Sequence, residues 1–178
     1  HRAGGKLANL EAVVDEHISV SSTIGRGDPR WDTHGAPTEA NAHPHADCTG
    51  NLAVVHNGII ENYSALRSEL MARGHVFTSE TDTEVIAHLV DSLYAGDLFQ
   101  AVQAAVAQLH GAFAIAVMHQ NEPHRVVGAR AGSPLILGVG QGGAEHFLAS
   151  DAMALAGVTD QIVYLEEGDL VDLQLGRY

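Results

Sequence analysis

Apolar residues recur at the three- and four-residue spacing of amphipathic helices through the first two thirds of the chain. The first such stretch covers residues 6–16. It precedes a polar and β-branched stretch at 18–24, so a helix leading into a strand is expected there. Three further helices are predicted after Asn62, Thr81 and Asp97, because each of these side chains can cap the free amides of a first helical turn.

The ends of these three helices are also marked in the sequence. Gly74, Gly96 and Gly111 each follow a last apolar position, and glycine often ends a helix in the left-handed conformation. Thr81 and Glu84 have the spacing of a capping box, in which each side chain accepts a hydrogen bond from the other residue's backbone N–H. The sequence therefore predicts three short helices in succession.

From residue 112 the pattern changes to short apolar runs divided by Gly, Pro, Asn and Asp, which is typical of antiparallel strands. The predicted strands cover residues 112–118, 126–129, 134–139, 146–149, 162–165 and 170–175. An earlier run at 52–55 leads into Asn57 and Gly58, where a tight turn is expected because both residues tolerate positive φ. Helices followed by strands indicate an α+β fold with helices layered on antiparallel sheet.

Charge and composition narrow the classes of function. The 178 residues include 22 acidic and 9 basic side chains, and the net charge of −13 repels phosphate groups. Neither nucleic acid nor a membrane is therefore an expected partner, and no apolar run approaches the roughly 18 residues of a membrane helix. The single cysteine, Cys48, can form no internal disulfide, which favours a reducing, cytoplasmic location.

Candidate chemistry lies in four polar groups, at residues 30–35, 41–45, 56–58 and 79–84. Each group also has a plain structural interpretation: a solvated arginine and a loop tryptophan, a polar loop, a turn, and a helix start. A functional interpretation gains weight because the groups are chemically complementary, as their individual side chains show.

Arg30 supplies a fork for a carboxylate, and Asp82 supplies an anion that could hold an ammonium group. The side-chain amide of Asn57 and the backbone N–H of Gly58 could together form an oxyanion hole. Trp31 lies in a long Gly- and Pro-rich stretch that suits closing over a small ligand. A small α-amino acid is therefore an expected ligand.

The sequence offers no clear nucleophile. Cys48 follows a polar stretch without the glycine-rich elbow or helix start that activates a thiol, and no CxxC or Cys/His zinc spacing can be built from it. His43, His45 and Asp47 form an H-x-H-x-D run, so a histidine-based metal hydrolase stays open as an alternative. Otherwise no metal and no cofactor is expected.

Several motifs occur in the order of a known family. They are GKLANLE, RWDTHG, NAHPH, VVHNGIIEN, SETDTEVIAHL, ARAGSPLILG, LASD and YLEEGD. The chain thereby resembles the glutaminase domain of the glutamine–fructose-6-phosphate aminotransferase family, which belongs to the class II glutamine amidotransferases and the N-terminal nucleophile hydrolases. Trp31, His43 and His45 favour this family over the related amidophosphoribosyltransferases, whereas Asp28-Pro29 and Asp32 depart from its usual loop sequence.

The resemblance implies a four-layer αββα sandwich of two antiparallel sheets between helices, and hydrolysis of L-glutamine to glutamate and ammonia by an amino-terminal cysteine. Asn57 and Gly58 would form the oxyanion hole. The residues that would bind the substrate are Arg30, Trp31, Thr33, His34 and Asp82. His43 and His56 would support the loop and the turn.

The resemblance also implies that residues 1–178 are a partial glutaminase domain, with the family's opening strand, opening helix and sugar isomerase domain missing. Such a chain is expected to be inactive alone. It would act with those missing parts in a homo-oligomeric enzyme that makes glucosamine 6-phosphate from fructose 6-phosphate. A non-catalytic glutamine-binding module is the alternative from another class of function.

Overall fold

The computed structural model of the chain describes residues 24, 36, 38–175, 177 and 178. The helix predicted over 6–16 and all but the last residue of the strand predicted over 18–24 lie outside the described residues. The same holds for the candidate group at 30–35.

Eight strands and three α-helices make up the described part of the chain. The strands are β1 (His45–Ala46), β2 (Leu52–Ile60), β3 (Gly111–His119), β4 (Arg125–Ala131), β5 (Ile136–Val139), β6 (His146–Ala149), β7 (Gln161–Tyr164) and β8 (Leu170–Gln174). The helices are α1 (Tyr63–Ala72), α2 (Asp82–Leu93) and α3 (Leu98–Val106), and short 3₁₀ turns lie at Glu39–Asn41, Gln141–Gly143 and Ala152–Leu155.

The strands form two antiparallel sheets, as predicted for this α+β chain. The larger sheet has the order β1-β2-β3-β4-β8, and the smaller has the order β6-β5-β7. Helix α2 packs on β2 and lies against both α1 and α3. Among the described residues no helix has the length and apolar character needed to cross a bilayer.

Two apolar clusters hold these layers together. Between the helices and the larger sheet, α2 buries Val85, Ile86, Leu89 and Val90, and Ile86 is fully inaccessible. Burying one such side chain contributes about 1.5–3 kcal/mol. The second cluster contains Ala114, Leu135, Leu137, Leu165, Val171 and Leu173, which come from both sheets and the loops beside them. The larger sheet is therefore covered on both faces.

The turn predicted at Asn57 and Gly58 is wrong, because β2 continues through both residues to Ile60. Asn57 pairs with Ala114, and Gly58 pairs with Phe113. Gly58 uses its positive φ of 122° inside the strand, where a Cβ would lie 2.1 Å from the carbonyl oxygen of Ala112. The glycine is thus needed for the close approach of β3, not for a turn.

Two of the predicted helix caps also differ from expectation. Asn62 does not cap α1 with its side chain; instead its amide donates to the carbonyl of Gln108 and accepts from the N–H of His110, each at 2.9 Å. Gly111 begins β3, and α3 has already ended at Val106. Contacts between residues distant in sequence decide both cases. Asn62 bonds to the segment before β3, and Gly111 pairs with Ile60 of β2.

Only half of the predicted capping box forms. Thr81 Oγ1 accepts from the N–H of Glu84 at 3.4 Å, but the Glu84 carboxylate turns to the preceding loop. There it accepts from the N–H groups of Thr78 and Ser79 at 2.7 and 2.6 Å, and it also lies 3.3 Å from Nε2 of His88. Burial raises the pKa of Glu84, but the hydrogen bonds from His88, Ser79 and Thr78 outweigh it and lower the pKa to about 2.

The lowered pKa of Glu84 predicts a stability change at acid pH. Its contribution is fully present above the ordinary pKa of 4.5 and is lost as the pH falls through about 2. In urea unfolding followed by circular dichroism, we expect Glu84→Gln to remove on the order of 3 kcal/mol of the decrease in unfolding free energy between these pH values. The exposed neighbour Glu80 supplies the control, Glu80→Gln. An equal pH slope in all three proteins would contradict the assignment.

The close approach at Gly58 predicts a steric penalty beyond backbone strain. We expect Gly58→Ala to lower the unfolding free energy by about 3 kcal/mol or more, because a positive φ and an overlap with the Ala112 carbonyl add together. Gly74→Ala is the matched control, since Gly74 also has a positive φ, of 95°, but nothing within 4 Å of its Cβ position. That variant should lose only about 1–2 kcal/mol. Equal losses in thermal unfolding would show that the overlap relaxes.

Candidate active site

Asn57 and Gly58 lie on a part of β2 that one neighbouring strand leaves uncovered. Strand β1 pairs only with Ala53 and Val54, so no described strand pairs with that edge of β2 farther along. Asn57 is exposed and Gly58 is half-buried. A side-chain amide and strand backbone are therefore accessible to a ligand at this position.

Asp82 is fixed beside the same end of β2. It is the first residue of α2 and is only 2% exposed, and its Oδ2 accepts a hydrogen bond from the N–H of Ile60 at 2.9 Å. Its Oδ1 lies 4.0 Å from Nδ1 of His56. Because Gly58 and Ile60 are two residues apart, about 7 Å of strand separates them. The structure thus brings Asp82 close to Asn57 and Gly58, as the functional interpretation requires.

Three histidines contact the hydroxyl groups at the start of α2. Nε2 of His43 and Nδ1 of His56 lie 3.3 and 3.1 Å from the same oxygen, Oγ1 of Thr83. Nε2 of His45 lies 3.1 Å from Oγ1 of Thr81. A hydroxyl has one donor and two acceptor positions, so one threonine can join two rings. These contacts hold the three rings against the start of α2.

The sequence analysis assigned no individual role to Thr83 or to Asn41, although both lie in its candidate polar groups. The side chain of Asn41, in a residue only 4% exposed, accepts from the N–H of Glu80 and donates to the carbonyl of Ala36, each at 3.0 Å. Arg67 donates to the carbonyl of the preceding residue, Ser79, at 3.1 Å. The sequence signal was that residues 41–45 and 79–84 are both polar groups. Their positions in the chain gave no indication that they meet.

The H-x-H-x-D run does not form a ligand set. His43 and His45 face different threonines, and Asp47 accepts from the N–H groups of Thr49 and Leu52 at 3.0 and 2.8 Å. Burial raises the pKa of Asp47, but the hydrogen bonds from Thr49 and Leu52 outweigh it and lower the pKa. The structure therefore gives no support to a metal hydrolase built on this run.

Cys48 lies at the opposite end of β2 from the candidate oxyanion hole. It precedes Leu52, the first residue of the strand, and Asn57 is the fifth residue after Leu52, or about 17 Å farther along the strand. A thiol at that distance cannot attack a carbonyl held by Asn57. This agrees with the expectation that Cys48 is not the nucleophile.

Four of the predicted substrate-binding residues lie outside the described residues, and their roles stay predictions. They are Arg30, Trp31, Thr33 and His34. Asp28, Pro29 and Asp32, which depart from the usual loop sequence, lie in the same undescribed stretch. What the described part offers is an accessible amide on a rigid strand beside a fixed carboxylate at a helix start. This arrangement can stabilise a developing oxyanion and hold a cationic group.

The chain is similar to known proteins over most of its length. A family model described as a glutamine amidotransferase domain matches residues 33–157. The glutamine–fructose-6-phosphate aminotransferase (isomerizing) of Bordetella pertussis is 59% identical over 180 residues, which cover 99% of this chain and 29% of that protein. The protein of the same name from Thermotoga maritima is 49% identical over 174 residues, covering 98% of this chain and 28% of that protein.

A solved structure shares the fold. Glutamine phosphoribosylpyrophosphate amidotransferase from B. subtilis superimposes with a TM-score of 0.66 and 26% identity, over 78% of this chain and 31% of that chain. The chain thus spans less than a third of the length of these relatives. Because the family model matches more than half of its residues, the chain belongs to the glutamine amidotransferase domain family.

Proposed function

We propose that this chain is the glutaminase part of a glutamine–fructose-6-phosphate aminotransferase, which hydrolyses L-glutamine to glutamate and ammonia. The observation that carries the proposal is the position of Asp82, fixed about two strand residues from the accessible Asn57–Gly58 pair. The high identity to named aminotransferases across almost the whole chain supports the same activity.

In the proposed complex the substrate lies along the end of β2. Asp82 holds the α-ammonium group of glutamine, and Arg30 holds its α-carboxylate. About 7 Å of strand from Ile60 to Gly58 is comparable with the reach of a glutamine from its amine to its side-chain carbonyl. The carbonyl therefore reaches the amide of Asn57 and the N–H of Gly58.

The chemistry proceeds at that carbonyl. The proposed nucleophile is the amino-terminal cysteine of the family, which is not Cys48, the single cysteine among these 178 residues. Its attack moves negative charge to the carbonyl oxygen, and donation from Asn57 and Gly58 stabilises that charge in the transition state. Collapse of the tetrahedral intermediate releases ammonia, and water then releases glutamate from the acyl-enzyme.

The ammonia would be consumed elsewhere in a longer enzyme. The relatives are more than three times as long as this chain, which leaves room for an isomerase domain that aminates fructose 6-phosphate to glucosamine 6-phosphate. We place that enzyme in the cytoplasm, since a single cysteine fits a reducing compartment, and we expect it to be a homo-oligomer.

If Asn57 donates to the oxyanion, its replacement should lower kcat and leave KM nearly unchanged. In a protein that carries a relative's amino-terminal cysteine segment ahead of this chain, we expect Asn57→Ala to lower kcat by about 10²–10³, with little change in KM, because the bond strengthens in the transition state. Glutamate release gives both constants. Asn51→Ala, at an exposed position just before β2, is the control and should behave as the unmodified protein.

The same experiment separates the two classes of function. A non-catalytic glutamine-binding module would bind glutamine in calorimetry but release no glutamate in any of these proteins. Unchanged turnover in Asn57→Ala would remove Asn57 from the oxyanion hole.

The role of Asp82 predicts a change in substrate binding. We expect Asp82→Asn to raise KM for glutamine by about 10- to 100-fold, since a hydrogen bond to a charged group contributes about 1.5–3 kcal/mol. Glutaramate, which lacks the α-amine, is the matched ligand: its KM should not rise further in the variant. An equal rise for both ligands would show that Asp82 acts only through its contact with Ile60.

A further inference from the structure

Three side chains with metal-binding atoms converge at a place that the glutaminase proposal does not use. They are Cys48 in the turn after β1, His75 in the loop after α1, and His88 in the middle of α2. Sγ of Cys48 lies 3.4 Å from Nδ1 of His88 and 3.9 Å from Nδ1 of His75, and the two Nδ1 atoms lie 3.1 Å apart. Three segments distant in sequence thus present three ligand atoms to one point.

These distances fit the coordination sphere of one zinc ion. Zinc binds histidine nitrogen at about 2.0–2.1 Å and cysteine sulfur at about 2.3 Å, in tetrahedral geometry. Such a tetrahedron has nitrogen–nitrogen edges of about 3.4 Å and sulfur–nitrogen edges of about 3.6 Å. The observed 3.1, 3.4 and 3.9 Å lie within a few tenths of an ångström of those edges. An ion could therefore be accepted with small side-chain movements.

The contact between Glu84 and His88 orients a lone pair toward the cluster. Nε2 of His88 lies 3.3 Å from Oε1 of Glu84, and both side chains are almost fully buried. Because an ionised carboxylate only accepts hydrogen bonds, Nε2 carries the proton and donates it. In the neutral ring the lone pair is then on Nδ1, which faces Cys48 and His75. A carboxylate behind a ligating histidine is the usual outer support of a zinc site.

The remaining two groups are also suitably placed. The N–H of Val76 donates to Sγ of Cys48 at 3.3 Å, which fixes the sulfur beside the histidine rings. Cys48 is exposed and His75 is half-buried, whereas His88 is fully buried. The cluster is therefore anchored on its inner side and open to solvent on its outer side, where a fourth ligand can enter.

We propose that Cys48, His75 and His88 bind one Zn²⁺ ion, with a water molecule as the fourth ligand. The ion links the turn after β1, the loop after α1 and the helix α2, and so stabilises the packing of these segments. This proposal departs from the expectation that no Cys/His zinc site can be built from Cys48. The fold instead brings together residues that are 27 and 40 positions away from Cys48.

The test uses the full chain, reduced and freed of metal with a chelator, and titrated with Zn²⁺ alone against a chromophoric competitor. We expect one tightly bound ion per chain. Replacing the ion with Co²⁺ should give the visible bands of tetrahedral cobalt together with a near-ultraviolet sulfur-to-cobalt band. Zinc should also raise the Tm, since it binds only the folded state of this cluster.

Variants distinguish zinc binding at this cluster from zinc binding at other histidines. Cys48→Ser and His75→Gln change residues that are not fully buried. Each should weaken zinc binding by more than the roughly 10- to 100-fold typical of losing an outer partner of a ligating histidine. His110→Gln alters an exposed histidine outside the cluster and should bind zinc as the unmodified chain does.

Three results would overturn the proposal: no stoichiometric zinc, unchanged affinity in Cys48→Ser, or a cobalt spectrum without the sulfur band. Each variant is checked for folding by circular dichroism before it is titrated. Asn57→Ala should retain zinc binding, so the outcome is independent of the proposed glutaminase activity.

Discussion

The buried amino end of α2 is the feature on which the described structure depends. Two carboxylates, Asp82 and Glu84, lie there in residues about 2% exposed, where an uncompensated charge would be very unfavourable. Backbone N–H groups of Ile60, Thr78 and Ser79 donate to them, and the positive end of the helix dipole adds to the compensation. These hydrogen bonds fix the position of β2 and of the loop before α2 relative to the helix.

The first residue and the middle of α2 contribute to different proposed sites. Asp82 faces the end of β2, whereas His88, six residues later and about 9 Å along the helix, contacts Cys48 at the other end of the strand. Glu84 lies between them and contacts both the loop before α2 and His88. Helix α2 therefore separates the proposed glutamine site from the Cys48 cluster.

The sequence predicted well what depends on local patterning. All six strands predicted between residues 112 and 175 are present within about two residues, because each is a short apolar run bounded by Gly, Pro, Asn or Asp. The turn at Gly58, the cap at Asn62 and the reciprocal capping box were wrong, since Ala112, Gln108 and the loop before α2 decide them over longer distances. Likewise, Asn57 and Asp82 could be paired only through chemical complementarity and the family resemblance, and no spacing signals the cluster around Cys48.

The continuity of β2 also bears on how an oxyanion hole would work here. A hole in a tight turn could shift with the turn, whereas donors within β2 are held in place by the pairing of this strand with β3. Stabilisation of a developing charge is most effective when the donors need no reorganisation at the moment of reaction. The same Gly58 that would donate its N–H must also admit the Ala112 carbonyl, so its packing and its chemistry cannot be varied separately. The exposed side chain of Asn57 carries no such packing constraint, and it is therefore the residue at which strand structure and proposed catalysis can be separated.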